Sequence, residues 1–262
     1  MLQYFGYIGA LFIGLILGMT GGGGSILTVP ILVYLMNFNP VTATAYSLFI
    51  VGTTSAFGTI QNFRKGIVEI KTALLFAIPS LVAVFLTRKF IVPAIPDILF
   101  QSGQLSITKE IFLMVLFAIV MFAASLSMLK RKTEMETAAQ NPNVIVTIIK
   151  IILVGVLIGL VGAGGGFLII PALVFMAKLP MRKAIGTSLM IIAINSLIGF
   201  TGDMSNRTID WDFLLAFTAI AVTGIFMGIY LSKFVNENQL RKGFGWFVLV
   251  MALFIFIKEL FL

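Results

Sequence analysis

The sequence predicts an all-α, polytopic bundle of transmembrane helices made of two inverted repeats, each with a first helix broken by glycines. Three observations predict it: a composition that only lipid can solvate, a glycine motif that recurs at one fixed offset, and the distribution of Lys and Arg between apolar runs.

The chain has 262 residues, of which 60% are hydrophobic and 11% charged. A soluble domain of this length carries about a quarter charged residues. The first charge is Arg64, so the stretch before it has nothing with which to make a water-facing surface. Lipid is therefore the solvent for most of the chain. Residues 1–20 lack a basic start and an A-x-A-like cleavage site, and are read as mature structure rather than a signal peptide. There is no Cys and no His, which excludes disulfides, thiolate chemistry, Cys/His zinc sites, haem ligation by His and imidazole catalysis. No cofactor and no metal is implied. The net charge of +8 would suggest nucleic acid in a soluble protein. Here the basic residues sit in short connections between apolar runs, which reads as positive-inside orientation in a bilayer with no nucleic-acid partner.

Taken in order, the apolar runs are 3–36, 40–63, 70–92, 107–129, 144–177, 181–201, 211–234 and 243–262. A single span needs about 20 residues, and six runs fit. The runs 3–36 and 144–177 would each be roughly 50 Å long as one helix, and each carries glycines in its middle, so both are read as broken segments. Asn39-Pro40 and Pro180 mark helix starts, because proline is tolerated in a first turn. Segment 93–106, with two prolines, is read as a connection lying at an interface. Segment 130–143 is polar and charged, and is read as a cytoplasmic linker between a first repeat (1–129) and a second (144–262).

The repeat is visible at an offset of 141 residues, without a gap. Gly14, Gly18, Gly21, Gly23 and Gly24 fall on Gly155, Gly159, Gly162, Gly164 and Gly165. Pro30 falls on Pro171, Ser47 on Ser188, Ser55 on Ser196, Gly58 on Gly199, and Glu69 on Asp210. Matching leucines would follow from composition; six glycines, a proline, two serines and an acid at one offset would not.

Orientation follows from Lys and Arg. If every long run crosses once, the halves are parallel and the 18 basic residues divide evenly between the two sides. If each long run turns back at its glycines, the halves are inverted. One side then holds only Arg88, Lys89, Lys109, Arg207 and Lys258, and the other holds the remaining thirteen of the 18. The second arrangement obeys the positive-inside rule and places both termini outside. Inverted repeats with discontinuous helices are a transporter plan in which the breaks meet near the midplane.

The breaks are the candidate substrate site: Gly21, Gly22, Gly23, Gly24 and Ser25 in the first half, and Gly162, Gly164, Gly165 and Gly166 in the second. Glycine brings bare amides close to a ligand, and a half-helix starting there points its N–H groups and positive dipole end into the cavity. That makes an anion site without a buried lysine. The competing reading is packing or a hinge. No Lys-Ser/Thr follows the glycines, so this is not a phosphate-binding P-loop. Gly14-x-x-x-Gly18 and Gly155-x-x-x-Gly159 read as helix-packing pairs. Ser47, Thr54, Ser188 and Asn195, on the stripe after each break, are candidate donors to an oxyanion, with interhelical hydrogen bonding as the plain alternative. No acid appears deep inside an apolar run, which argues against a cation substrate. Glu69 and Asp210, at equivalent helix starts, read as interfacial caps, with proton or ion coupling left open.

The stretches GLILGMTGGGGSILTVPIL (14–32) and GVLIGLVGAGGGFLIIPAL (155–173), with ATAYSL (43–48) and AIGTSL (184–189), resemble the sulfite exporter TauE/SafE family, also called the toluene sulfonate uptake permease family. The resemblance covers essentially the whole chain. It implies a multi-pass protein of a bacterial or archaeal plasma membrane that moves small sulfur-containing anions such as sulfite or organosulfonates, without naming the cargo, direction, coupling ion or oligomeric state. Gly22 pairs with Ala163 and Ser25 with Gly166, so the two half-sites differ chemically. The expected function is a secondary transporter, not an enzyme, working by alternating access. The alternatives are an anion channel or a membrane subunit that does not itself transport.

Overall fold

The computed structural model describes residues 2–102, 105–129, 144–162, 164–204 and 209–261. The linker 130–143, Ala163 and Arg207 lie outside the described residues. The first apolar run folds as α1 (Leu2–Thr20) and α2 (Gly24–Pro30), and α2 continues through a π-helical turn, Ile31–Leu35. Next come α3 (Pro40–Arg64) and α4 (Ile70–Leu86). A second π-turn, Thr87–Ile91, carries α4 into a single turn, α5 (Val92–Ala94). An antiparallel hairpin of β1 (Ile98–Ser102) and β2 (Leu105–Thr108) precedes α6 (Lys109–Leu129). The second half comprises α7 (Val144–Val161), α8 (Gly166–Phe175), α9 (Met181–Met204), α10 (Trp211–Leu231) and α11 (Glu237–Phe261).

The fold is all-α, with the small hairpin as a local departure that the prolines of 93–106 did not announce. Among the described residues, four helical stretches are long and apolar enough to cross a membrane: Ile70–Ala94, Lys109–Leu126, Met181–Met204 and Trp211–Leu231. Their outward faces carry exposed large side chains such as Leu75, Ile78, Val82, Leu215 and Phe226, which suits lipid rather than water.

Both long runs are broken, and the first doubles back on itself. Gly24 packs on Ile13 and Leu17, Gly9 on Ile31, and Gly6 on Met36. Residue 36 therefore returns to the level of residue 6. The arms Phe5–Thr20 and Gly24–Leu35 are roughly 24 and 18 Å long at 1.5 Å per residue, short of the ~30 Å hydrocarbon thickness. The reversal needs a left-handed residue at its apex. Gly21 (φ +75°) supplies it in the first run and Gly162 (φ +69°) in the second.

Contacts between the halves exchange at the 141-residue offset. Gly14 packs on the backbone of Ala221, and Gly155 on that of Ser80, the residue equivalent to Ala221. Gly58 meets Leu189 and Ile225; Gly199 meets the equivalents of those two, Leu48 and Val84. So α1 pairs with α10 as α7 pairs with α4, while α3 crosses α9 and α6 packs along α11. Lipid tails are as apolar as the helices, so association rests on close packing rather than on the hydrophobic effect. The small-residue pairs do this work. Gly14 and Gly18 interlock with Gly224 and Gly228, and a Cβ at any of the four would collide with backbone of the facing helix.

Candidate functional site

The two glycine breaks meet. A Cβ built on Gly22 would fall on the backbone of Gly166, and one on Gly166 would fall on Gly22 Cα. Gly21 abuts Ile185 on α9, and its equivalent Gly162 abuts Thr44 on α3, the residue equivalent to Ile185. Gly164 sits against Val51 of α3 and Ser196 of α9. Gly21, Gly22, Gly23, Gly24, Ser25, Gly162, Gly164, Gly165 and Gly166 are all buried, at the α3–α9 crossing.

Several groups named as ligand donors from sequence are used inside the protein. The Gly21 amide donates to Leu17 O at 2.7 Å, the Gly23 amide to Thr20 Oγ1 at 2.8 Å, and the Gly162 amide to Ile158 O at 2.9 Å. Ser25 Oγ donates to Gly22 O at 2.6 Å. Ser188 Oγ donates to Gly21 O at 2.6 Å and lies 2.9 Å from Ile185 O. These hydroxyls brace the first break. Small polar side chains that reach nearby carbonyls take that bond readily, and a single sequence does not show which will.

Other polar side chains on the two helices are in a different condition. On α3, Ser47, Thr54 and Ser55 are fully buried, and their hydroxyls reach no hydrogen-bond partner. On α9, Ser196 Oγ and Asn195 Oδ1 are likewise buried without a partner. These positions recur at seven and eight residues, so they share one helical face, and the two faces are equivalent across the repeat. Asn195 Nδ2 donates to Ser80 Oγ at 2.7 Å. Thr54 occupies the equivalent position, but the residue equivalent to Ser80 is Ala221, which has no hydroxyl. Leaving a buried polar atom unsatisfied costs about 1–3 kcal/mol. Such groups clustered at a helix crossing call for a ligand or water.

Two charged residues at this site escaped the sequence reading. Arg88, on the π-turn after α4, is 0% exposed. Its Nη1 donates to Thr44 Oγ1 at 3.1 Å and lies 3.5 Å from Asp203 Oδ2. Its Nη2 lies against Gly162. Asp203 is 4% exposed on the last turn of α9. Asp203 lies just beyond the apolar run 181–201 and is nevertheless buried, and Arg88 is not a loop charge. Neither burial was expected, because the helices continue past the apolar runs, α4 by way of its π-turn to Ala94 and α9 to Met204. The signal was in the repeat: Arg88 falls on Ile229, inside α10, and Asp203 on Asn62, itself buried on α3.

Equivalent contacts close both ends of the crossing. At one end the Glu69 amide donates to Thr187 Oγ1 at 3.0 Å, and Lys183 pairs with the Glu69 carboxylate. At the other the Asp210 amide donates to the Tyr46 hydroxyl at 2.8 Å; Tyr46 is the equivalent of Thr187. Asp210 also caps α10 through Phe213 N at 3.1 Å, as expected for an acid at a helix start. Lys65, just past α3, has its pKa lowered by burial and secondarily by the charge of Lys233. The end of α10 therefore lies beside the end of α3.

A family model described as Sulfite exporter TauE/SafE matches residues 7–255. A probable membrane transporter protein of Xylella fastidiosa (strain 9a5c) is 30% identical over 250 residues, covering 93% of this chain and 90% of that one. The probable membrane transporter protein YunE of Bacillus subtilis is 26% identical over 255 residues, 88% of each chain. One from Haemophilus influenzae is 26% identical over 271 residues, 96% of each. No solved structure matches the chain.

Proposed function

The chain belongs to the sulfite exporter TauE/SafE family, and from that premise we propose that it is a secondary transporter of small sulfur-containing anions, such as sulfite or organosulfonates, acting by alternating access across a bacterial or archaeal plasma membrane. The observation that carries this reading is the set of buried, unpartnered hydroxyls of Ser47, Thr54 and Ser55 on α3 and Ser196 on α9, beside two glycine breaks in backbone contact. Hydroxyl and amide groups held there can surround an oxyanion that has shed its water.

The halves are inverted in this reading. The Glu69–Lys183 ion pair supports it, because it joins the α3–α4 connection to the start of α9, which parallel halves would hold on opposite faces. With that inversion, Arg64, Lys65, Lys71, Lys178, Arg182, Lys183 and Lys233 gather at one end, the cytoplasmic one by the positive-inside rule. The two equivalent closures, at Glu69 and at Asp210, then face opposite sides of the membrane. Breaking one while keeping the other would open the crossing to one side at a time.

Flux into proteoliposomes tests this. A carrier shows uptake of sulfite or an organosulfonate that saturates with concentration and is accelerated by unlabelled anion on the far side. Uptake that neither saturates nor exchanges identifies a channel, and no flux of any sulfur anion removes the reading.

A further inference from the structure

Arg88 is a component of the crossing that the internal repeat does not demand. A guanidinium with no exposure to solvent is expensive at membrane depth and is kept there for function more often than for stability. At the equivalent place the chain has Ile229, and in place of Asp203 it has Asn62. The equivalent pair of positions, Ile229 and Asn62, thus carries no charge. The placement of Arg88 is specific: Nη2 lies against the apex glycine of the second break, and Nη1 bonds to Thr44, one turn ahead of the unpartnered Ser47 on α3. Its carboxylate neighbour stands at 3.5 Å, longer than the ~2.7–2.9 Å of a tight charge-assisted hydrogen bond.

Taking the anion-carrier reading as its basis, we propose that Arg88 is the electrostatic anchor of the transported anion, and that the anion takes the place of the Asp203 carboxylate on the guanidinium. Asp203 is then an internal competitor. It keeps Arg88 charged and compensated while the carrier is empty, and the incoming oxyanion displaces it without a buried cation ever standing alone. The planar fork of arginine can hold two oxygens of such an anion at once, which a lysine cannot do. The exchange also sets the affinity low enough for release, because binding must always repay the lost contact with Asp203.

The test is a thermal-stability titration of purified protein with sulfite, thiosulfate, sulfate and chloride, comparing wild type with R88K, R88Q, D203N and the double variant R88Q/D203N. Removing the competitor in D203N should tighten binding of whichever anion the wild type binds by about tenfold or more, and slow its exchange in proteoliposomes. R88K should weaken binding by about ten- to hundredfold, on the scale of a lost charged hydrogen bond. The double variant, free of both charges, should melt like wild type in the absence of anion and show no shift with any of the four. If it misfolds, D203N decides alone: unchanged or weakened affinity there overturns the proposal. A double variant that binds as wild type does overturns it while leaving the carrier reading intact. A wild type that binds none of the four anions removes both.

Discussion

The backbone N–H of Glu69 donates to Thr187 Oγ1 at 3.0 Å. Shifted by one repeat, the same bond runs from Asp210 N–H to the Tyr46 hydroxyl at 2.8 Å. The chain thus uses one local device twice. In each case the amide that leads into α4 or α10 of one half is tied to the long helix α9 or α3 of the other half. An acid stands at both positions because its side chain tolerates the water-facing helix start. The ring of Tyr46 also packs on Phe38 and Phe213, so this closure is the more apolar of the two.

Thr187→Val removes the acceptor at the basic end alone, and Tyr46→Phe does so at the other. Each should cost its own closure about 1 kcal/mol, a roughly fivefold shift toward the conformation open at that end. Lys183→Ala should do less, because both partners of its ion pair are over a third exposed and such pairs contribute about 0–1 kcal/mol. Labelling of a single cysteine placed in the crossing, by a membrane-impermeant maleimide applied from either face, reads the shift. Equal effects of the two variants on both faces would contradict it.

The glycine contacts carry the next expectation. Gly166→Ala drives a Cβ into Gly22, where both sides are backbone and neither can yield. Flux should be lost and the melting temperature should fall. Gly164→Leu adds strain at φ +65° together with a clash against Val51 and Ser196. Gly243→Ala is the control. Nothing lies within 4 Å of the added carbon on α11, and alanine is worth up to ~1 kcal/mol more than glycine in a helix. Transport in that variant should be unchanged.

What could be read from sequence was what glycine and repetition make unambiguous. A glycine at an apex, or at a backbone-to-backbone contact, has no substitute, so its recurrence at one offset exposed both the breaks and the duplication. The depth of Arg88 could not be read this way. It sits four residues before the end of the run 70–92, where a charge ordinarily reaches the interface, and only the π-turn and α5 carry the helix on beyond it. Ser25 and Ser188 look like Ser47 in sequence. What separates them is whether a carbonyl of the break lies within reach of the hydroxyl, which is a matter of tertiary geometry.

Thr54→Val and Asn195→Leu should separate a binding role from a packing role. Thr54 Oγ1 is buried without a partner, so replacing it with an isosteric methyl removes an unpaid desolvation cost and should leave stability equal or higher. Flux should nevertheless fall, the usual trade between stability and activity at a working site. Asn195→Leu also forfeits the bond to Ser80, and should lose about 1 kcal/mol along with transport. Thermal melts paired with uptake distinguish the cases. Full transport by Thr54→Val would take that hydroxyl out of the site.

The orientation of the halves is open to a direct measurement, because the chain has no cysteine and any cysteine introduced reports alone. Lys65→Cys and Lys183→Cys lie at the end joined by the Glu69–Lys183 pair. Asp212→Cys lies in the first turn of α10, beside the Asp210–Tyr46 closure. In inverted halves the first two label only from the cytoplasmic face, and the third only from outside. Parallel halves place residues 65 and 183 on opposite faces of the membrane. Residues 65 and 183 are separated in sequence by the runs 70–92 and 107–129, the linker 130–143 and the run 144–177, so a shared sidedness depends on that last, glycine-broken run turning back. Opposite labelling of residues 65 and 183 would mean that the run 144–177 passes through the bilayer.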